Sequence, residues 1–161
     1  MKSTYRVLAY LISIEVVVQA AAIAFAMFGL SKWIEDGNTL DKAAMESDST
    51  SFTGVVGFMI HGINGQVLIP LLAIVLLLVA FFAKVPGGVM WAGIVLALVV
   101  VQVLLGVFAE DMPGLGALHG INALILFAVS AAAGQRVRTG AAAGRGHRSE
   151  PPHRKAETEP V

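Results

Sequence analysis

Four apolar runs, at about 7–30, 54–83, 88–109 and 114–134, occupy most of the first 134 residues of this chain. Each reaches the roughly 20 residues that a helix needs to cross a ~30 Å hydrocarbon core. Backbone polar groups in hydrocarbon must be satisfied internally, so runs of this length read as membrane-spanning helices. With 161 residues, 57% hydrophobic and 14% charged, the chain is too apolar for an ordinary soluble domain and too short for several domains. It has no cysteine, which removes disulfides, thiolate metal sites and thiol nucleophiles.

The charges segregate by connection. Lys2 and Arg6 precede the first run, Lys84 follows the second, and Arg136, Arg138, Arg145 and Arg148 follow the fourth. The first outer connection carries Glu35, Asp36, Asp41, Glu46 and Asp48 against Lys32 and Lys42, and the other carries Glu110 and Asp111. Lys and Arg mark the cytoplasmic side, so both termini are expected in the cytoplasm of a cell-membrane protein. Glu15 interrupts the first run, which is also longer than the apolar stretch of a secretory signal, so no cleavage is expected there.

The tetrapeptide His-Gly-Ile-Asn occurs at His61–Asn64 and again at His119–Asn122, each time inside an apolar run. The first and third runs also match. Val16-Val17-Val18-Gln19 recurs as Val99-Val100-Val101-Gln102, and each Gln is followed six residues later by Phe-Ala. The expected fold is therefore all-α: an integral membrane four-helix up-down-up-down bundle built from two parallel helical-hairpin repeats, with the domain at 1–134 and a structureless cytoplasmic tail at 135–161. Parallel repeats are commonly related by an axis along the membrane normal. Such an axis would carry His61 onto His119, with both about 10 Å inside the outer ends of their helices. The second and fourth helices of such a bundle are diagonal neighbours.

Ionisable side chains inside a span are costly and point to function by default. Two imidazoles facing each other leave room for one metal, and a macrocycle can slot between the other two helices. Bundle cores recurrently hold cofactors, and haem iron takes axial imidazole. The expected site is a b-type haem ligated by His61 and His119. Gly62 and Gly120 would let a flat ligand approach, as would Gly57, Gly65, Gly116 and Ala123. Asn64 and Asn122 would anchor a propionate or bridge helices. A ligating histidine donates its second ring N–H to a nearby acceptor; the Gly57 and Leu115 carbonyls, one turn back, are candidates. The competing reading makes His, Asn and Gln interhelical glue worth about 1 kcal/mol or less. A bare zinc site lacks ligands, and Met59 and Met112 do not correspond under the repeat as copper thioethers.

Glu15 is either a proton or quinone-headgroup contact or a carboxyl near the cytoplasmic face; its repeat mate is Leu98. Gln19 and Gln102 are expected to tie helices together. Pro70 should kink the second helix, and Pro113 suits a first helical turn. In the outer loop, Asn38 or Thr39 would cap a short helix over Leu40–Met45, and Trp33 fits the interfacial belt. The basic start of the tail would touch anionic lipid headgroups, whereas His147 and His153 read as solvated residues. No phosphate loop, Ser-His-Asp constellation or nucleic-acid module is present in the sequence.

Four helices with a histidine near the outer end of the second and another in the fourth resemble one half of the haem A synthase family, over about residues 5–135. The chain also resembles an uncharacterised bacterial family of small four-helix membrane proteins. The first resemblance implies haem ligation by His61 and His119. The glutamate that this family places three residues before a ligand histidine is Phe58 here, with Gly116 as its repeat mate, and the following arginine is Gly62. What carries over is haem binding rather than the hydroxylating chemistry. An iron with both axial positions filled suits electron transfer or haem handling beside a respiratory-chain or other redox partner. A cofactor-free membrane scaffold is the second expectation, and a small transporter is the third.

Overall fold

The computed structural model describes residues 1–47 and 50–146, with side chains up to Val137. All regular structure among these residues is helical. The elements are α1 (Lys2–Glu35), α2 (Lys42–Glu46), α3 (Val56–Ile63), a π-helical turn over Asn64–Leu68, α4 (Ile69–Ala83), α5 (Gly88–Phe108) and α6 (Pro113–Gly146). The segment from α3 through the π turn to α4 forms one rod, Val56–Ala83. With α1, α5 and α6 it makes four helices long and apolar enough to cross a membrane. The chain is a multi-pass membrane protein. The rod and α6 each pack extensively against both α1 and α5.

The apolar core lies in the half of the helices away from the histidines. Tyr5, Ile12, Leu76, Val95, Val99 and Leu126 are fully buried there, with Ala9, Ala73, Ala92 and Ala133 at the closest approaches. Lipid tails are as apolar as leucine, so helices in a bilayer associate through close packing and hydrogen bonds rather than through removal of apolar surface. Accordingly most large apolar side chains point outward; Phe28 is 77% and Leu124 71% exposed. Two hydrogen bonds lock this half. Tyr5 Oη donates to the Gly88 carbonyl (3.1 Å) and Ser13 Oγ to the Phe127 carbonyl (3.2 Å).

The helices overrun the apolar runs that announce them. α1 begins at Lys2 and ends at Glu35, closed by the Lys32–Asp36 ion pair and by the turn at Gly37 (φ +94°). α6 continues through Gly146, past position 134, where the sequence reading ended the helix and began a structureless tail. Residues 135–146 contain three consecutive alanines and three arginines, which favour helix, alongside Gly140, Gly144 and Gly146, which do not. The remainder of the expected tail, 147–161, with His147 and His153, lies outside the described residues.

In the outer loop the short helix starts at Lys42. Asp41 caps it by accepting from the Ala44 N–H (2.8 Å), in place of Asn38 or Thr39. Asn38 instead donates to the Trp33 carbonyl at the end of α1 (2.9 Å). Pro70 falls in the first turn of α4, where a proline removes no helical hydrogen bond, just after a π turn. Pro113 opens α6 as expected. Lys84 (φ 50°) ends α4 in the left-handed region, and Gly87 (φ +68°) precedes α5.

Candidate functional site

His61 lies in the last turn of α3, within the Val56–Ala83 rod, and His119 lies six residues into α6. Both are half-buried. Their ring centres are 6.1 Å apart and their planes are inclined at 54°. The structure thus brings together the two histidines that the sequence paired.

Each imidazole is held from a neighbouring helix. His119 Nδ1 lies 3.0 Å from the Gln102 carbonyl of α5, and His61 Nδ1 lies 3.2 Å from the Gln19 carbonyl of α1. The expected acceptors, Gly57 and Leu115, are replaced by main-chain groups across the helix interface. The carbonyl one turn back points along its own helix axis toward the backbone ladder, whereas the imidazoles project toward α1 and α5. A carbonyl can only accept, so at His119 it selects the tautomer with hydrogen on Nδ1 and leaves the Nε2 lone pair available.

His61 has a second partner. With its carboxamide turned to satisfy its neighbours, Gln19 donates to the His61 carbonyl (3.0 Å) and accepts from the Gly65 N–H (2.9 Å). Its amide nitrogen also comes within 2.8 Å of His61 Nδ1. Gln19 therefore offers His61 an acceptor and a donor, and supports either tautomer.

The two groups that the Gln19 carboxamide engages are four residues apart in sequence. In an α-helix they would bond to each other. The carboxamide takes the place of that bond, and the ladder widens into the π turn that begins at Asn64, with Ile69 N–H bonded to the Asn64 carbonyl. Side-chain insertion is a recognised cause of such a break. Gln102 makes no such insertion. Its Oε1 accepts from Asn122 Nδ2 (2.7 Å), which also donates to the Leu98 carbonyl (3.0 Å).

The asparagines take the helix-bridging role of their two expected roles. Asn122 is 8% exposed and is committed to α5. Asn64 Nδ2 donates to Glu15 Oε2 (3.3 Å), joining the rod to α1. Glu15 thus faces the neighbouring helix, and its repeat mate Leu98 answers with a backbone carbonyl. Met59 and Met112 are 57% and 54% exposed.

The glycines divide by role. A Cβ at Gly62 or Gly120 would meet nothing within 4 Å, so the surface beside each histidine is flat and open. A Cβ at Gly57 would lie 2.3 Å from the Ala22 carbonyl, so α3 and α1 approach closely here. Gly106, which the sequence did not single out, lies under the His119 ring, where a Cβ would sit 3.1 Å from Cε1. Nothing in the repeat could have flagged it, because its mate in α1 is Ile23.

Among the described residues no group of three or more His, Asp or Glu side chains could hold a metal. Two imidazoles fall short of the four ligands of a protein-only zinc site.

No family model, curated protein or solved structure matches this chain.

Proposed function

We propose that this protein binds one b-type haem through His61 and His119 and serves in electron transfer or haem handling in the membrane. The observation that carries this reading is the 6.1 Å separation of the two imidazoles, taken with the carbonyl behind each Nδ1. A direct hydrogen bond between two imidazoles brings their ring centres to about 5 Å. Two metal–nitrogen bonds of about 2 Å on opposite sides of one metal bring them to about 6 Å. The open faces of Gly62 and Gly120 suit a flat ring beside each ligand. Bound haem supplies a reversible one-electron change at iron.

In this reading the chain's own residues set the ligand geometry. The Gln19 and Gln102 carbonyls orient the imidazoles. Asn122, Gln102 and Asn64 fix the helices that carry them. With His61 and His119 both serving as ligands, the haem would supply electron transfer rather than oxygen chemistry. The four membrane helices belong to an up-down-up-down bundle of two parallel hairpin repeats, with the Lys- and Arg-bearing ends, and hence both termini, in the cytoplasm. The histidines then lie toward the outer face, within reach of a redox partner there.

A second reading, a cofactor-free membrane scaffold, is favoured by one observation. The polar side chains around the histidines are bonded to neighbouring helices, as interhelical glue would be. One measurement separates the two. Protein purified in detergent from haem-replete cells should show a Soret band and sharp bands on dithionite reduction, both lost in His61→Ala and in His119→Ala. A colourless, folded protein would leave the scaffold.

A further inference from the structure

The two imidazoles are held with unequal grip. Among the described residues His119 Nδ1 has one partner, the Gln102 carbonyl at 3.0 Å. A Cβ at Gly106 would sit 3.1 Å from His119 Cε1 and 3.2 Å from Nδ1, so the α5 backbone lies directly against the ring. Nearly one turn on, Asn122 ties α6 to α5 through two hydrogen bonds, of 2.7 and 3.0 Å. A carbonyl only accepts, so Nδ1 carries the hydrogen and Nε2 keeps its lone pair.

The restraints at His61 are weaker or opposed. Nδ1 lies 3.2 Å from the Gln19 carbonyl and 2.8 Å from the Gln19 side-chain amide nitrogen. The backbone fixes that carboxamide, which donates to the His61 carbonyl and accepts from the Gly65 N–H. The carbonyl calls for a hydrogen on Nδ1, and the amide, the nearer of the two, calls for a lone pair. The lone-pair form puts the ring hydrogen on Nε2, the nitrogen that a metal would take. The other form sets Nδ1–H against the amide N–H, and an unmatched donor away from water is costly. The helix around His61 is also less closed. The π turn begins at Asn64, whose side chain holds α1 by a single 3.3 Å bond to Glu15.

We infer that His119 is the permanent ligand and His61 the exchangeable one, with Gln19 the positioning residue that makes it so. The inference rests on the proposed haem reading. Between the bound and released states of His61 the ring hydrogen shifts from Nδ1 to Nε2, with no change of charge, and the Gln19 amide bonds the bared Nδ1. The position given up is open to a small neutral ligand of the carbon monoxide class.

The first test needs no haem. Full-length protein from haem-deficient cells, isotope-labelled at the histidine nitrogens, is read by NMR in detergent at a pH well above the ordinary imidazole value. His119 should be wholly Nδ1–H. His61 should show an Nε2–H population, which Gln19→Leu should cut about fivefold, the weight of one hydrogen bond. Gln102→Leu should leave it unchanged. The second test adds carbon monoxide to reduced, haem-loaded protein. It should bind with release of His61, seen as the Nε2–H signal of that ring, and about fivefold more weakly in Gln19→Leu. Equal tautomers at the two histidines, no binding of carbon monoxide, or release of His119 overturns the inference. The wild-type measurements decide this even where Gln19→Leu does not fold. Failure of the haem reading looks different: unequal tautomers in a protein that takes up no haem remove the ligand role from both histidines together.

Discussion

The His61 and His119 junctions are built from the same side chains and wired differently. At His119, Asn122 bonds Gln102 and the Leu98 carbonyl, and α6 continues unbroken. At His61, Gln19 enters the backbone ladder itself, Asn64 turns to Glu15, and the helix opens into a π turn. The imidazoles nevertheless arrive with matching support, each against the carbonyl of a glutamine. The fixed quantity is the placement of two rings, and the chain reaches it by two local solutions. Under the proposed haem reading such tolerance is expected, because ligand placement rather than helix regularity is then what must be held.

The sharpest break in this comparison is at the glycine four residues before His61, set against the glycine three residues before His119. Gly57→Leu forces α3 away from the Ala22 carbonyl, which a Cβ would approach to 2.3 Å. Overpacking against a backbone exceeds the usual 1–3 kcal/mol, and loss of folded protein in size-exclusion chromatography is expected. At Gly116 the nearest atom to an added Cβ is Ala109 Cβ at 3.9 Å. Gly116→Leu should leave the chromatogram and the thermal midpoint near those of the parent.

The next contrast is between the glutamines. Gln19→Leu strips the bridge from the His61 carbonyl and the Gly65 N–H, so residues 61–65 should close into a regular α-turn or lose protection. Amide exchange at Gly65 reads either outcome. Gln102→Leu removes one acceptor from Asn122, costs about 1 kcal/mol, and should leave exchange along α6 unchanged. If both variants behave alike, the wiring difference has no energetic meaning.

The smallest effect on stability is expected at Gly62→Ala and Gly120→Ala, because neither added methyl meets protein within 4 Å. Their thermal midpoints in the absence of haem should match the parent. Haem retention should fall in both if a flat ring lies against these faces, and an unchanged Soret intensity would count against that placement.

The sequence revealed much of this through hydropathy and spacing. The four spans follow from apolar length, and the pairing of His61 with His119 follows from a repeated tetrapeptide anchored by Gln19 and Gln102. The remainder depends on events between helices. The π turn arises because a side chain from α1 enters the ladder of another helix, and Pro70 hinted only at a disturbance nearby. The acceptors for the imidazoles are main-chain atoms, which have no signature in side-chain identity. Hydropathy also marks where the hydrocarbon ends rather than where a helix ends, which is why α6 outruns its apolar segment and carries Arg136 onto Trp91.

The π turn also sets the rotation of everything that follows it. Contacts at Gly57, His61 and Gly65 toward α1 recur every fourth residue, and at about 100° per residue each step drifts by roughly 40° around the axis. Left uncorrected, that drift would swing the lower rod away from its neighbours. The wider turn adds residues without adding a full revolution, so Ile69, Ala73, Leu76, Ala80 and Ala83 come back into line as the buried stripe. A single glutamine on the neighbouring helix thereby acts as a phase adjuster, matching the angular register of the histidine half to that of the core half.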